Sequence, residues 1–185
     1  MKILVLSLVI AGMMITAGCT APAVQPVTPA PTASEKVLPM HANATIGSGN
    51  KTMNVYIDSI ELDPKKENES GRTITIYVAI ENTGTENVMM VYYSKLTDKN
   101  GRSYGGINAT HGGNGARTAW MYPGKIEAAR DYIDKLTNQD LGAISNGAVL
   151  DVYFMEKPAD NVAVSLNPDY HVAWTIEPGS IVGLP

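Results

Sequence analysis

Between Thr73 and Gly84 the chain reads Thr-Ile-Thr-Ile-Tyr-Val-Ala-Ile-Glu-Asn-Thr-Gly, placing Ile74, Ile76, Val78 and Ile80 on one side of an extended backbone and Thr73, Thr75, Tyr77, Ala79 and Glu81 on the other. A period of two is the signature of a half-buried strand. β-Branched residues fill both faces and Asn82-Thr83-Gly84 closes the run with turn residues, so this is the expected central strand of an antiparallel sandwich. Upstream, from Met53, Val55 and Ile57 share one face while Ile60 and Leu62 share the other; the slip at Asp58-Ser59 calls for a bulge or a bend between sheets. Asp63-Pro64 through Gly71 is a charged loop. Val88 to Thr97 is apolar on both faces, as in a strand covered on both sides, and runs into Asp98-Lys99-Asn100-Gly101, whose Asn-Gly pair predicts a hairpin with Arg102 to Tyr104 pairing back.

Gly105 to Gly115 holds five glycines and His111 without periodicity, the pattern of a long mobile loop. Ala116 to Tyr122 reads as a strand and Pro123-Gly124 as a type II turn. Lys125 to Leu136 carries two patterns: Ile126, Ala129, Ile133 and Leu136 have helical spacing, while a strand keeps Ile126, Ala128 and Tyr132 on one face; the all-β surroundings select the strand. Thr137 with Asp140 predicts a capped turn of helix to Ile144, reversed at Ser145-Asn146-Gly147. Ala148, Leu150, Val152 and Phe154 alternate in a strand ended by Lys157-Pro158. Val162, Val164 and Leu166 form a further one before the Asn167-Pro168-Asp169 turn, and Tyr170, Val172, Trp174 and Ile176 form the last. Eight or nine strands at hairpin spacing, without a sustained amphipathic helix, predict an all-β, immunoglobulin-like antiparallel β-sandwich.

The N-terminus breaks this pattern. Met1-Lys2 is a short basic stretch, Ile3 to Ile15 is apolar, and Thr16-Ala17-Gly18-Cys19 follows. Spanning a bilayer needs roughly 20 apolar residues, so the run fits a cleaved signal better than a membrane helix. Ala17-Gly18-Cys19 resembles the lipoprotein signal family, whose lipobox ends in a small residue and the lipidated cysteine; Thr16 departs from the aliphatic residue usual there. From Thr20 to about Thr52, five prolines among Ala, Thr, Val and Ser predict an extended, semi-rigid tether. The expected divisions are a signal over 1–18, the lipid-attachment Cys19 and tether over 19–52, and the sandwich over 53–185. Asn43, Asn50, Asn68 and Asn108 begin Asn-X-Ser/Thr sequons, candidate glycan acceptors.

At 185 residues and 44% hydrophobic, the chain suits one domain plus an appendage. Its single cysteine precludes an internal disulfide. A net charge of −4 provides no basic patch for phosphates, which argues against a nucleic-acid partner.

Ile80-Glu-Asn-Thr-Gly84, the turn Asp98 to Gly101 and Tyr122-Pro-Gly124 together resemble the telokin-like, immunoglobulin-like domain of bacterial and archaeal lipoproteins, over Met53 to about Ile176. The resemblance implies a sandwich on a lipid anchor and implies no catalytic residues.

The chemistry of the side chains points the same way. His41, His111 and His171 lack metal-ligand spacing, with His171 expected to face solvent opposite Trp174; the strand methionines read as core filling, and no metal or cofactor is expected. The glycine-rich loop lacks a phosphate loop's lysine, no Gly-X-Ser-X-Gly elbow occurs, and Asp131 with Asp134 reads as a solvated face. The expectation is therefore a surface-anchored, non-catalytic binding module of unspecified ligand. Asn108, His111 and Arg117 mark a candidate recognition loop. Its partners are the membrane, through the lipid, and a cell-envelope protein or small ligand; its place is the outer face of the cytoplasmic membrane or the cell surface. Two alternatives are a structural spacer lipoprotein and a metal-handling or hydrolytic accessory protein.

Stable anchoring needs two lipid chains or an equivalent diether, since one acyl chain binds only marginally. The native protein is expected to partition with membranes and to carry lipid mass on Cys19, and Cys19→Ser is expected to release it or leave the signal uncleaved. Mass spectrometry of membrane and soluble fractions checks this; a free Cys19 thiol on wholly soluble protein contradicts it.

Overall fold

The computed structural model describes residues 36–65, 70–106, 116–156 and 168–184. Strands β1 (Leu38–Pro39), β2 (Ala44–Ile46), β3 (Met53–Leu62), β4 (Arg72–Asn82), β5 (Val88–Asp98), β6 (Ser103–Gly105), β7 (Arg117–Met121) and β8 (Ile126–Leu136) lead to helix α1 (Asn138–Ser145), followed by β9 (Ala148–Glu156) and β10 (Tyr170–Ile176). One sheet has the order β1-β10-β9-β5 and forks at the far edge of β5 into β6 and β7; the other has the order β2-β3-β4-β8. All pairings are antiparallel except that of β1 with β10. This is the expected all-β sandwich.

Alternation builds the core. Ile74, Ile76, Val78 and Ile80 of β4 and Leu150, Val152, Phe154 and Trp174 of β9 and β10 have no exposed surface and join one hydrophobic cluster. The register slip expected in β3 falls between Ile57 and Ser59, which lets Val55, Ile57 and Ile60 all turn inward. Past the slip β2 has ended, and Val182 takes its place along β3: Leu62 N donates to Val182 O at 2.8 Å and Val182 N to Ile60 O at 2.9 Å.

The Asn100-Gly101 hairpin is organised by Asp98, whose carboxylate accepts from the backbone of Asn100 and Arg102 and from the Tyr104 hydroxyl. Helix α1 carries the full capping box between Thr137 and Asp140. The turn after β4 is locked to the segment before β3, with Thr83 N and Gly84 N both donating to Thr52 O. A Cβ at Gly84 would sit 2.1 Å from the Asn50 carbonyl oxygen, so only glycine fits. The strand expected around Val162 to Leu166 lies outside the described residues.

The fold starts earlier than the expected boundary at Met53. Leu38 and Pro39 pair with Trp174 and Thr175, and Ala44 to Ile46 pair with Met53 to Val55. Trp174 Nε1 donates to Ala42 O at 2.9 Å, and His41, at φ 69°, holds Ile57 O through Nδ1 at 2.7 Å. Prolines signalled a tether, but Pro39 stands on a sheet edge, where its missing N–H costs no ladder bond.

Trp174→Ala empties the largest fully buried side chain and orphans Ala42 O, and is expected to cost about 3–5 kcal/mol. His171→Ala, on the opposite face, forfeits the stack on Tyr153 and the Asp151 contact at a partly exposed site, about 1–2 kcal/mol, and leaves no core cavity. Denaturant midpoints of the two variants check this order.

Candidate functional site

The fork in the first sheet creates a local problem. β6 pairs with Lys95 to Thr97 and β7 with Val88 to Tyr92, so among the described residues no strand lies beside Tyr93 and Ser94 on that edge. Ser94 is buried, and an unpaired buried N–H costs about 1–3 kcal/mol. The donor is met from the other sheet: Asp131 Oδ2 on β8 accepts from Ser94 N at 2.6 Å, while Oδ1 accepts from Tyr132 N at 2.8 Å. One carboxylate thus staples the open edges of both sheets. Asp131 is wholly buried, which corrects its reading as part of a solvated face. Burial pushes its carboxyl above the ordinary 3.8 against the pull of the Ser94 and Tyr132 hydrogen bonds and of Arg117.

That correction turns β8 over. Ile126, Ala128 and Tyr132 do share a face, but it is the outer one; Ala129, Asp131 and Ile133 point inward, and a positive φ at Lys135 swings Leu136 back to the core.

Arg117 is opposite Tyr92 and so shares its inward face. Its Nε lies 3.8 Å from Asp131 Oδ1 and its guanidinium 5.0 Å from the Tyr132 ring centre. The Tyr92 hydroxyl donates to Arg130 O at 3.1 Å, and burial followed by the nearby Asp131 charge pushes Tyr92 up to about 12. Arg130 extends over its cross-strand partner Tyr77, 5.3 Å away.

These groups form one end of an open groove between β7 and β8 of about 660 Å³, within the usual range of roughly 300–1,000 Å³ for ligand sites. Its floor is small side chains, Thr118, Ala119, Ala128 and Ala129. Its other end carries Trp120 and Tyr122, each half exposed, beside the exposed Ile126. That end is held by Asn82, fully buried, whose Nδ2 donates to Met121 O and Glu86 O, whose backbone N donates to Lys125 O, and whose backbone O accepts from Gly124 N. Gly124, at φ 67°, makes the expected type II turn. Thus the Asn that reads as turn punctuation positions the groove.

A second cluster crosses the outer face of the first sheet. Tyr153 stacks on Tyr93 at 4.8 Å and on His171 at 4.4 Å; Asp151 Oδ1 is 2.9 Å from His171 Nε2, and Asp151 Oδ2 is 3.4 Å from Lys95 Nζ. His171 therefore does lie opposite Trp174, but engaged by its neighbours rather than extended into solvent. The rings stack on one another, so they present edges outward.

Of the candidate site residues, Arg117 is in the groove, while Asn43 and Asn50 are exposed, in the β1–β2 turn and in the short 3-10 turn Gly49–Lys51. Cys19, Asn68, Asn108 and His111 lie outside the described residues. Sequence reasoning missed Trp120, Tyr122 and Arg130. The signal available was two aromatics flanking Met121 against the turn at Pro123-Gly124. Among the described residues, no three His, Cys, Asp or Glu side chains converge as metal ligands, and no helix is long and apolar enough to cross a membrane.

No protein-family model matches the chain, and no curated protein does. Solved structures similar to it include an uncharacterised β-sandwich protein from Clostridium difficile (16% identity, TM-score 0.41, 78% of this chain and 97% of that one). A provisionally assigned lipoprotein from Bacillus subtilis is similar at 10% identity and a TM-score of 0.39, over 74% of this chain and 39% of that one. A provisionally assigned β-galactosidase from Bacteroides fragilis matches at 12% identity and a TM-score of 0.39, over 64% of this chain and only 16% of its own length.

A carboxyl raised in the folded state binds its proton more tightly there than in the unfolded chain, so its contribution to stability falls as pH rises from 3.8 through the raised value, and is level above it. Relative to Asp131→Asn, wild-type stability is expected to decline across that window. Paired thermal melts from acid to neutral pH check the sign; a difference that grows with pH contradicts it.

Proposed function

We propose that the chain is a membrane-anchored cell-surface lipoprotein whose β-sandwich is a non-catalytic binding module, with its ligand seated in the β7–β8 groove. The observation that carries this reading is the convergence of Trp120, Tyr122, Tyr132, Arg117 and Arg130 on one open groove. Trp, Tyr and Arg are the residues that dominate binding energy at interfaces, because they combine large apolar area with directed polar contacts. Both oxygens of the buried Asp131 accept backbone N–H groups, which favours structural over catalytic work for this carboxylate at the site's margin.

The place where the chain joins the fold supports the same reading. β1 is one border of its sheet and β7 lies at the other, so Leu38, where the described pairing begins, is across the sheet from the groove. The resemblance to telokin-like lipoprotein domains and the Ala17-Gly18-Cys19 sequence are what support an anchor in this reading. Arg117, two residues after the glycine-rich segment that holds Asn108 and His111, is at the charged end of the groove.

Cross-linking in the native membrane identifies the partner. Trp120→Ala and Arg130→Ala are expected to lose the cross-linked neighbour while melting like wild type, since neither side chain belongs to the core. If both variants keep it and shortening Gly105 to Gly115 removes it, the site is the loop and the groove assignment fails.

A further inference from the structure

We infer that the groove takes an extended, acidic peptide segment of a partner protein, by strand addition to the free edge of β8; this rests on the groove being the binding site. β8 pairs with β4 alone and β7 with β5 alone among the described residues. In an antiparallel ladder, alternate residues point their backbone groups toward the partner strand. Lys125 O receives Asn82 N, so the odd-numbered residues Glu127, Ala129 and Asp131 face β4, and the even-numbered Ile126, Ala128, Arg130 and Tyr132 turn their N–H and C=O groups to the open edge.

Two of these edge groups are already satisfied from within: Arg130 O by the Tyr92 hydroxyl and Tyr132 N by Asp131. The segment left for a ligand runs from Ile126 to the Arg130 N–H. It coincides with the small-residue floor, where Ala119, Ala128 and Ala129 let another backbone approach to hydrogen-bonding distance. The edge and the floor therefore fit a main chain, whereas a sugar or a flat aromatic ligand would use neither.

The groove is also polarised. Arg117 and Arg130 stand at one end, both over tyrosine rings, and Glu127 stands near the other beside Trp120 and Tyr122. Arg117 is shared with Asp131, whereas Arg130 contacts the face of Tyr77, so Arg130 is the guanidinium best placed for a ligand carboxylate. A peptide with its acidic residue at the arginine end and an apolar residue against Trp120 matches this polarity in one direction only. Main-chain pairing provides adhesion and the two ends provide selectivity, as in other strand-addition sites.

The test uses the folded full chain and pools of nine-residue synthetic peptides with a central Glu, Gln or Lys, read by fluorescence anisotropy. The Glu pool is expected to bind at least about tenfold more tightly than the Lys pool, the size of one charge-assisted contact. Arg130→Glu is expected to reverse the preference. N-methylation of alternate peptide amides, or Ala128→Pro, which removes an edge donor without touching the β4 ladder, is expected to abolish binding. The N-methylated pools keep the result decisive if Ala128→Pro melts early. Equal binding of N-methylated and unmodified peptides overturns strand addition. So does Arg130-dependent binding of oligogalacturonate with no peptide binding, which assigns an acidic glycan instead. If no pool binds but the cross-linked neighbour still depends on Trp120, the peptide inference fails while the groove remains the site; loss of that dependence removes both.

Discussion

A sheet that ends must do something with the backbone donors and acceptors along its border, and this sandwich answers with several different devices. Leu38 and Pro39 form a border of two residues, too short to template further pairing, and proline withholds one donor. Val182 finishes the edge of β3 that β2 leaves uncovered. At the fork of β5 no described strand pairs with Ser94, and a side chain substitutes: the buried carboxylate of Asp131 takes one N–H from each sheet. The edge of β8 between Ile126 and Arg130 faces the equally unpaired edge of β7 among the described residues, and it is there that exposed aromatic and guanidinium groups gather. The candidate site thus lies where two borders, those of β7 and β8, meet without pairing.

Most of the architecture was legible because it depends on local alternation. β4, β5, β9 and β10 are read directly from period-two patterns, the bulge at Ile57 to Ser59 from a slip in that pattern, and α1 from Thr137 and Asp140. β1 and β2 were not legible, because their pairing depends on Trp174 and Val55, partners far away in sequence or across a turn, while their prolines argue locally against strands. The face of β8 was illegible for a sharper reason. Hydropathy puts Ile126 inside and Asp131 outside, yet the chain does the reverse, since the fork in β5 presents a buried N–H that only an acceptor can satisfy. Local rules give way where a distant constraint outweighs them, and here that place adjoins the candidate site. Arg117 was found through its neighbouring loop; Trp120 and Arg130 were missed because an exposed aromatic or arginine on a strand has no periodicity to mark it.

The outer faces of the two sheets differ in what they expose. On the first sheet, Tyr93, Tyr153 and His171 use their ring faces on each other and Asp151 joins Lys95 to His171, so much of the bonding capacity there is spent internally. Around the groove, Trp120 and Tyr122 keep about half of their surface in water. The contrast separates a face that stiffens three strands from one with area to bury against something else.

Where the chain joins the fold also decides how the fold yields to force. A pull applied upstream of Leu38 first meets two residues of parallel pairing, then the single Trp174 contact to Ala42, then the three residues of β2, before it reaches the ten-residue β3 held along β4. The short pairings of β1 and β2 are the lesser part of this resistance, because the backbone carbonyls of Asn50 and Thr52 accept four N–H groups from the turn after β4 and so fix the start of β3. Load applied upstream of Leu38 therefore reaches the β3–β4 ladder through the Asn50 and Thr52 carbonyls, on the side of the sandwich remote from β8.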